Sequence, residues 1–595
     1  MINKNHIAKT LAILVITVFL GLILFSGCTD EKQVVKTVIE VQHDTIFVSI
    51  IAVDAINASL DSVTQGLPIT LTVQITKGSQ AGDVTVSWFA TGGHFDSETG
   101  DTVTWTAPDD PGVYMITAHA TDGQYIGIGS RMVGVGMYAP TVTPYYLGAE
   151  SCAGCHDGGA GGNQYPEWIG TAHAHAWETL QNSGHPAVYC EPCHAVGWGF
   201  NLLDSSFVSN AGDGGYDEAP IAKYVDVQCE ACHGPGSDHA TSLSADDIQI
   251  DWDVMVCGKC HEGTHHPYLT EWLQSPHNFP GDAHASASCT GCHEGVAGGQ
   301  RLSGESNIPL NVYYGGGGGQ AITTRPDTSV FPYEGVVCQT CHDPHDGTNP
   351  GQLRTVEDIV LIEEGGVNPI ITAGGTGKLC MQCHHARHGP EEHIPEGDSR
   401  FGPHHSPQAD MIAAETGYEG VAPAGFNWAG PSHLLVQNSC KTCHLNMIEF
   451  PGPSGSAVTG HTFYPTPEAC VNCHGEINDF TDIPAAGDFD GNGIVEGLQI
   501  EVEGLMDLLR DAIVASGLDT TVEGFVGAIG DTAYSTLEQR EAGWNWVFVD
   551  EDQSHGIHNP DYAVQLLQQS ILYINGSLPP NAAIVKNDNE VASNW

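Results

Sequence analysis

Positively charged residues are scarce in this sequence. Its 595 residues include 18 lysines and arginines against 72 aspartates and glutamates, which gives a formal net charge of −54. Such a negative field repels phosphate groups, so the composition excludes nucleic acid as a partner and argues against binding to anionic lipid by charge. Charged residues make up only 15% of the chain and hydrophobic residues 41%. Because disorder requires low hydrophobicity as well as net charge, this chain is expected to fold.

An apolar run near the start, residues 11–25, is too short for an ordinary membrane-spanning helix. Lys4 and Lys9 precede it and Ser26-Gly27-Cys28 follows, an order typical of an export signal. The segment resembles a bacterial lipoprotein signal, in which Cys28 would become the lipidated first residue of the mature chain. The residue after that cysteine is Thr29. In such lipoproteins an Asp at this position favours retention in the inner membrane, so its absence favours the outer membrane. A plain membrane anchor or an ordinary signal peptide is the alternative.

Cysteines outside a motif are lacking once Cys28 is set aside. The other 18 of the 19 cysteines all fall in Cys-x-x-Cys-His motifs, which we number 1 to 9 along the chain. The cysteine pairs are Cys152 and Cys155, Cys190 and Cys193, Cys229 and Cys232, Cys257 and Cys260, Cys289 and Cys292, Cys338 and Cys341, Cys380 and Cys383, Cys440 and Cys443, and Cys470 and Cys473. The histidines that follow are His156, His194, His233, His261, His293, His342, His384, His444 and His474. No cysteine remains for a structural disulfide.

This motif is the attachment signature of c-type haem. Two thiols three positions apart can form thioethers with the vinyl groups of one porphyrin, and the adjacent histidine binds the iron as the proximal ligand. Structural zinc also uses cysteine pairs, but it gives no reason for a histidine directly after every second cysteine. Disulfides within each motif would leave nine histidines unexplained.

On these motifs the chain resembles a multihaem c-type cytochrome. The resemblance implies nine covalently bound haem c groups and electron transfer between them. It also implies redox partner proteins, other cytochromes or extracellular acceptors as partners, and some relatives stack into filaments with further copies of themselves. Loops and short helices wrapped around the porphyrins are expected rather than a conventional core.

The remaining histidines decide whether each iron is closed by a second axial imidazole or open to a substrate. Nine sequence contexts offer distal ligands, and two of them share a Trp-x-x-Thr/Ser-x-His frame. The candidates are His173, His239, His277, His284, His345, His404 (or its neighbour His405), His433, His461 and His558. Histidines held in reserve are His185, His265, His266, His385, His388, His393 and His555. Which distal histidine serves which motif is left open.

A multidomain chain is predicted. Residues 1–27 form the signal peptide and 28–44 a tether. Residues 45–138 alternate polar and apolar positions between Gly, Asp and Pro turns, which predicts an all-β sandwich that resembles an immunoglobulin-like fold, with Trp88 as its core tryptophan and Tyr114 as its corner tyrosine. Residues 139–480 form the mostly irregular, short-helical haem region. Residues 481–595 carry helical periodicity and are expected to cap it.

A calcium loop is predicted just after the last motif. Oxygen ligands recur at alternate positions from residue 488, with a glycine where the chain must turn. The predicted ligands are Asp488, Asp490, Asn492, the carbonyl of Ile494, and Glu496. The twelfth position is Gln499 rather than the bidentate glutamate of the pattern. A simple Asx-rich turn is the alternative.

The sequence therefore predicts an exported, lipid-anchored protein of the outer membrane or cell surface that moves electrons along nine haems, mostly with two histidine ligands each. A carrier is favoured over a substrate-converting enzyme. The alternative is a multihaem oxidoreductase acting on nitrogen or sulfur oxyanions, resembling hydroxylamine oxidoreductase or pentahaem nitrite reductase. Some of those reductases have lysine as one proximal ligand, whereas all nine motifs here end in histidine.

Overall fold

The fold is given by a computed structural model. It describes residues 51–585 except 60–61, 79–81, 137–139, 160, 185, 202–204, 211, 279–286, 305–334, 363, 399, 449–456 and 522–523. The predicted signal peptide with Cys28, the tether, and the candidate ligand His284 lie outside the described residues.

The N-terminal region is built from strands that alternate buried and exposed side chains. Its strands are β1 (Ile51–Ala58), β2 (Ser62–Val63), β3 (Pro68–Lys77), β4 (Thr85–Ala90), β5 (His94–Phe95), β6 (Thr102–Thr106), β7 (Gly112–Thr121) and β8 (Ile126–Val135). They form two four-stranded sheets, in the orders β1-β3-β6-β5 and β2-β8-β7-β4. Pairing is antiparallel except between β2 and β8. The region is therefore rich in sheet, although each sheet is small.

Two tryptophans fill the space between the sheets. Trp88 and Trp105 are 2% and 0% exposed, and each indole N–H donates to a backbone carbonyl, that of Gly100 at 2.7 Å and that of Gly92 at 2.9 Å. The hydroxyl of Tyr114 donates to the Asp110 carbonyl at 3.0 Å, four residues upstream. This bond has the form of the tyrosine corner of immunoglobulin-like domains. The immunoglobulin-like assignment stays a prediction.

Short helices and turns carry the motifs. The helices of this region are α1 (Ala149–His156), α2 (Gln164–Trp168), α3 (Ala176–Asn182), α4 (Glu191–His194), α5 (Cys229–His233), α6 (Ser237–Ser242), α7 (Met255–Gly258), α8 (Tyr268–Trp272), α9 (Ala287–His293), α10 (Gly295–Leu302), α11 (Cys338–Cys341), α12 (Lys378–Met381), α13 (Pro390–Glu396), α14 (Gln408–Ala413), α15 (Cys440–His444) and α16 (Val471–His474). Two hairpins pair β9 (Trp198–Asn201) with β10 (Ser206–Ser209) and β11 (Ile359–Val360) with β12 (Ile370–Ile371).

Glycine ends two of the motif helices directly after the histidine. Gly234 and Gly475 have φ angles of 73° and 79°, a conformation that side chains disfavour. The chain therefore leaves the helix as soon as the motif is complete, which allows many motifs within a short length of chain.

Longer helices close the C-terminal end. They are α17 (Leu498–Ala515), α18 (Gly524–Gly530), α19 (Leu537–Asp552) and α20 (Pro560–Asn575). Their shared core also takes in Ile394, Phe401 and Met411 from the motif region. The indole N–H of Trp544 donates to the Thr416 carbonyl at 2.9 Å, which ties α19 to the same region. These helices thus pack against the segments around motifs 7 and 8.

Among the described residues, no helix combines the length and the apolar character needed to cross a membrane.

Candidate haem-binding site

In most motif histidines, one ring nitrogen lies within hydrogen-bonding distance of a protein oxygen. Nδ1 lies within hydrogen-bonding distance of a carbonyl in five motifs and of a side-chain amide oxygen in a sixth. The pairs are His156 with Gly161 (2.8 Å), His194 with Ala176 (2.9 Å), His233 with Gln249 (2.6 Å), His342 with Gly351 (2.7 Å), His444 with Phe463 (2.9 Å), and His384 with Oε1 of Gln408 (3.2 Å). When the proton of the neutral ring is on Nδ1, Nε2 is unprotonated and its lone pair can bind a metal.

A second imidazole faces six of the nine motif histidines at nearly constant separation. The ring centroids are 6.2 Å apart for His156 and His239, 6.1 Å for His233 and His345, 6.0 Å for His261 and His173, 6.1 Å for His384 and His277, 6.2 Å for His444 and His558, and 6.2 Å for His474 and His433. Each second histidine comes from a segment distant in sequence from the motif that it faces.

This separation fits a single iron held between the two rings. With a metal–nitrogen bond of about 2 Å on each side and the ring centre about 1 Å further out, two axial imidazoles have centroids about 6 Å apart. Direct contact between two imidazole rings would bring the centroids closer, as in His388 and His393 at 4.0 Å. The six pairs therefore have the spacing that a haem iron requires.

The other three motif histidines lie near histidines as well. Burial lowers the pKa of His461, and the neighbouring His342 ring lowers it further. The pKa of His266 is lowered by burial and by the rings of His265 and His194. Burial, Arg387 and neighbouring rings that include His293 lower the pKa of His404 to about 4. Each of motifs 2, 5 and 6 thus has a histidine within electrostatic range.

Sequence reasoning placed six distal candidates that the structure brings opposite a motif histidine, namely His173, His239, His277, His345, His433 and His558. His461 and His404 lie near His342 and His293. His405 is exposed and pairs with Glu551 instead. His266, beside His194, was held only in reserve. His266 stands five residues after His261, the histidine of motif 4, and this short spacing could have identified it as a candidate.

A family model agrees with the first part of this region. Residues 151–234, which hold motifs 1 to 3, match the family model described as cytochrome c554 and c-prime. With the motifs and the paired imidazoles, this match supports a multihaem c-type cytochrome.

Two solved structures are similar to this chain at low identity. The outer cell wall cytochrome OcwA is 17% identical with a TM-score of 0.41, covering 72% of this chain and 100% of its own. The undecahaem cytochrome from the S-layer of Carboxydothermus ferrireducens is 16% identical with a TM-score of 0.40, covering 76% and 71%. No curated protein matches this chain.

Carboxylates anchor two of the candidate distal histidines. Both oxygens of Glu271, in α8, accept hydrogen bonds around His461: from the backbone N–H of Thr459 at 2.9 Å, from the Thr459 hydroxyl at 2.6 Å, and from the backbone N–H of His461 at 2.8 Å. Glu271 is 9% exposed. It is therefore a positioning residue for the loop that presents His461.

His558 is oriented by a buried carboxylate rather than by a carbonyl. Its Nδ1 lies 2.7 Å from Oδ1 of Asp552, which is 1% exposed. Burial lowers the pKa of His558, but the Asp552 charge and hydrogen bond outweigh it, so the net pKa is raised. The carboxylate makes this imidazole a stronger electron donor and favours the ferric state of an iron that it binds.

Asp552→Asn is therefore expected to raise the reduction potential of the haem at motif 8. A charge-assisted hydrogen bond is about 1 kcal/mol stronger than a neutral one, and for a one-electron couple this corresponds to about 40 mV. Spectroelectrochemical titration of the holoprotein measures the shift. Glu551→Gln is the matched control, because Glu551 binds the exposed His405. Identical titration curves for both variants and the wild type would show that Asp552 does not lower the reduction potential of this haem.

Three carboxylates meet at the predicted calcium loop. Oxygens of Asp488, Asp490 and Glu501 all lie within 4.8 Å of one another. Oδ1 of Asp488 is buried and has no hydrogen-bond partner. Gln499 points elsewhere, since its amide donates to the Ser554 carbonyl at 3.1 Å. Two of the five predicted ligands thus converge, and they do so with a glutamate that the twelve-residue spacing did not predict.

The other predicted calcium ligands are placed differently. The side-chain amide of Asn492 donates to Asp490 and to Glu496 at 3.1 and 2.8 Å, so Glu496 is bonded to Asn492. Ile494 is exposed. Glu501 is 0% exposed and accepts from the backbone N–H groups of Phe489 and Glu496 at 2.7 and 2.9 Å. The first turn of α17 therefore supplies the buried carboxylate of this cluster.

Proposed function

We propose that the chain is an exported electron-transfer protein with nine haem c groups, most of them bound by two histidines. When bound, the haem irons supply reversible one-electron oxidation and reduction. The motif cysteines would hold the porphyrins covalently and the motif histidines with their facing histidines would ligate the irons, while the carbonyls at Nδ1 orient the motif rings.

The observation that carries this proposal is the constant separation of six imidazole pairs at 6.0–6.2 Å. An iron with an imidazole on each side has no position left for a small-molecule substrate. The surroundings of His277 support the same arrangement, since burial and then the His384 ring lower its pKa to about 4 and keep this ring neutral at pH 7, the state that binds a metal.

An oxidoreductase acting on nitrogen or sulfur oxyanions would need one open axial position. Motifs 2, 5 and 6, whose second ring is supported only by electrostatic proximity, are where such a position would lie. The net charge of −54 also disfavours anionic substrates and favours cationic or metal-cation acceptors. We therefore place electron transfer ahead of catalysis.

The proposed location is the outer membrane or cell surface, with a lipid on Cys28. The apolar run and the small residues before that cysteine support it. The proposed partners are redox proteins, other cytochromes, extracellular acceptors or, in a filament, further copies of the chain.

A comparison of two reactions of the purified holoprotein tests this function. The reduced protein should pass all its electrons to a soluble ferric chelate or an electrode. It should show no turnover of nitrite, hydroxylamine or sulfite above that of free haem. Sustained turnover of any of these three would replace the carrier by an enzyme, and failure to reoxidise with the chelate would also contradict the proposal.

We further propose that Asp488, Asp490 and Glu501 hold a calcium ion. Carboxylate oxygens are the ligands that calcium prefers, and the unpartnered Oδ1 of Asp488 beside two other acids is stabilised by a cation. The ion would join residues 488–490 to the start of α17 and stabilise the C-terminal helices.

Asp490→Asn is expected to abolish calcium binding measured by titration calorimetry. In the wild type, calcium at 100 times its dissociation constant adds about 2.7 kcal/mol to the free energy of unfolding. The unfolding midpoint should therefore rise with calcium in the wild type and stay constant in the variant. Asp507→Asn is the control, because Asp507 is an exposed acid in α17, the helix that contains Glu501. Equal calcium binding by wild type and Asp490→Asn would exclude this site.

A further inference from the structure

The motif region contains an internal structural repeat. Trp168 and Trp272 each stand five residues before a facing histidine. The indole N–H of Trp168 donates to the Val227 carbonyl at 3.0 Å, and that of Trp272 to the Val336 carbonyl at 2.9 Å. The N–H groups of these two valines donate in turn to the carbonyls of His173 and His277, at 3.1 and 2.9 Å. Each valine lies two residues before a motif, motif 3 and motif 6.

A third copy of the frame is Trp428 with His433. The three histidines of these frames face His261, His384 and His474, the histidines of motifs 4, 7 and 9. Each frame therefore supplies a ring to a later motif. The repeat groups the motifs as 1 to 3, 4 to 6, and 7 with 8, and motif 9 begins a fourth, incomplete group.

Contacts within each group join its first and last motifs. Between motifs 1 and 3, Glu230 accepts a hydrogen bond from the backbone N–H of Gly148, directly before α1, at 2.7 Å. Between motifs 4 and 6, the side-chain amide of Gln339 donates to the Asp253 carbonyl, just before α7, at 3.3 Å. Between motifs 7 and 8, a Cβ atom added at Gly377 would come within 3.0 Å of the backbone nitrogen of Cys440. Motif 1 thus adjoins motif 3, motif 4 adjoins motif 6, and motif 7 adjoins motif 8.

The middle motif of a group contacts the next group instead. The second cysteines of motifs 2 and 4, Cys193 and Cys260, line the same cavity, and motifs 5 and 7 are joined by one buried arginine. This arginine, Arg301, is 1% exposed. Its guanidinium donates to the Gly291 carbonyl of motif 5 at 2.8 Å and to the Gln382 carbonyl of motif 7 at 3.1 Å.

A third kind of contact joins consecutive groups along the chain. Between motifs 6 and 7, the backbone N–H of Arg354 donates to the Cys341 carbonyl at 2.9 Å, and Lys378 at the start of α12 donates to Asp358 of the same connecting segment at 2.7 Å. Between motifs 8 and 9, α15 contacts the turn Pro467–Ala469 that directly precedes Cys470. Between motifs 3 and 4, the ammonium of Lys259 donates to the Ala231 carbonyl at 2.5 Å.

We propose that the attachment sites form a branched path, in the order 1-3-4-6-7-8-9, with motif 2 as a side branch at motif 4 and motif 5 as a side branch at motif 7. This order rests on the proposed electron-transfer function and adds the route that electrons take. It differs from the order of the motifs in the sequence because the repeat moves the middle motif of each group out of the line.

The two ends of the path lie in different surroundings. A Cβ atom added at Gly154 of motif 1 would come within 3.4 Å of Cε of Met115, so that motif lies against the sandwich. In motif 9, Val471, Cys473 and His474 are all exposed, and Cys473 is the one exposed cysteine among the described motifs. The path therefore runs from the sandwich to an accessible end at motif 9.

Iron positions in the wild-type holoprotein test this order. Anomalous diffraction at the iron edge should show nine irons, with the iron of motif 2 closest to that of motif 4 and the iron of motif 5 closest to that of motif 7. An iron of motif 2 lying between those of motifs 1 and 3, or of motif 5 between those of motifs 4 and 6, would overturn the branched order. Nine irons in another order would leave the proposed function standing, whereas a protein without haem would contradict both.

A pair of matched deletions tests the route. A ruthenium photosensitiser on Glu150→Cys injects electrons at motif 1, and His433→Met gives the haem at motif 9 a distinct absorbance. Cys190→Ala with Cys193→Ala, which removes the haem of side motif 2, should slow the arrival of electrons at motif 9 without abolishing it. Cys338→Ala with Cys341→Ala, at motif 6, should abolish it. Loss in the first variant or arrival in the second would overturn the route, and the iron positions decide if a variant does not fold.

Discussion

His558→Ala is expected to convert the haem of motif 8 from low spin to high spin and to interrupt electron transfer to motif 9. The His444 and His558 rings stand 6.2 Å apart, and His558 is anchored by the buried Asp552. Removal of one axial imidazole opens the iron and weakens the ligand field. Resonance Raman spectroscopy of the oxidised variant should show one high-spin haem among low-spin ones.

His555→Ala is the control in the same loop. His555 binds Glu503 at the surface, at 2.8 Å, and faces no motif histidine in the described part of the chain. Its variant should keep the wild-type spectrum. A wild-type spectrum in His558→Ala would mean that another group binds this iron, and the pairing of His444 with His558 would then be wrong.

Preventing haem attachment should unfold the motif region while the sandwich stays folded. The sandwich has its own core around Trp88, Trp105 and Ile116, and each buried apolar side chain contributes about 1.5–3 kcal/mol. Around the motifs the apolar clusters are small, such as the one formed by Leu269, Trp272 and Val337. The covalently bound porphyrins must supply the missing apolar interior.

Hydrogen exchange on a form expressed without haem attachment measures this difference. Residues 85–121 should stay protected as in the holoprotein, and residues 145–360 should exchange at rates near those of an unfolded chain. The sandwich acts as the internal control, because a sample unfolded throughout would lose protection in both regions. Full protection of the motif region without haem would show that the polypeptide holds it together unaided.

The sequence was sufficient for features set by local spacing. Nine motifs follow from a five-residue pattern, and the frames of Trp168 and Trp272 identified His173 and His277 as facing histidines. The same frame at Trp428 was not recognised because Pro431 stands where the other two copies have Thr171 and Ser275. His433 was chosen only for its position ahead of a motif.

The sequence did not predict which histidine faces which motif histidine when the two lie in distant segments. His345 follows motif 6 but faces His233 of motif 3, and His239 follows motif 3 but faces His156 of motif 1. Neither partner could be chosen by proximity along the chain, since the closest motif was the wrong one in both cases. The contacts among Asp488, Asp490 and Glu501 were missed for a related reason, because the carboxylate lies in the first turn of a helix instead of at the twelfth loop position.

The spin state of the irons in the oxidised wild-type holoprotein tests the central claim most directly. Low-temperature EPR with spin quantitation should account for at least six low-spin ferric haems, because six motif histidines face a second imidazole. A high-spin ferric signal integrating to more than three haems would show open axial positions among these six pairs and contradict the proposed carrier.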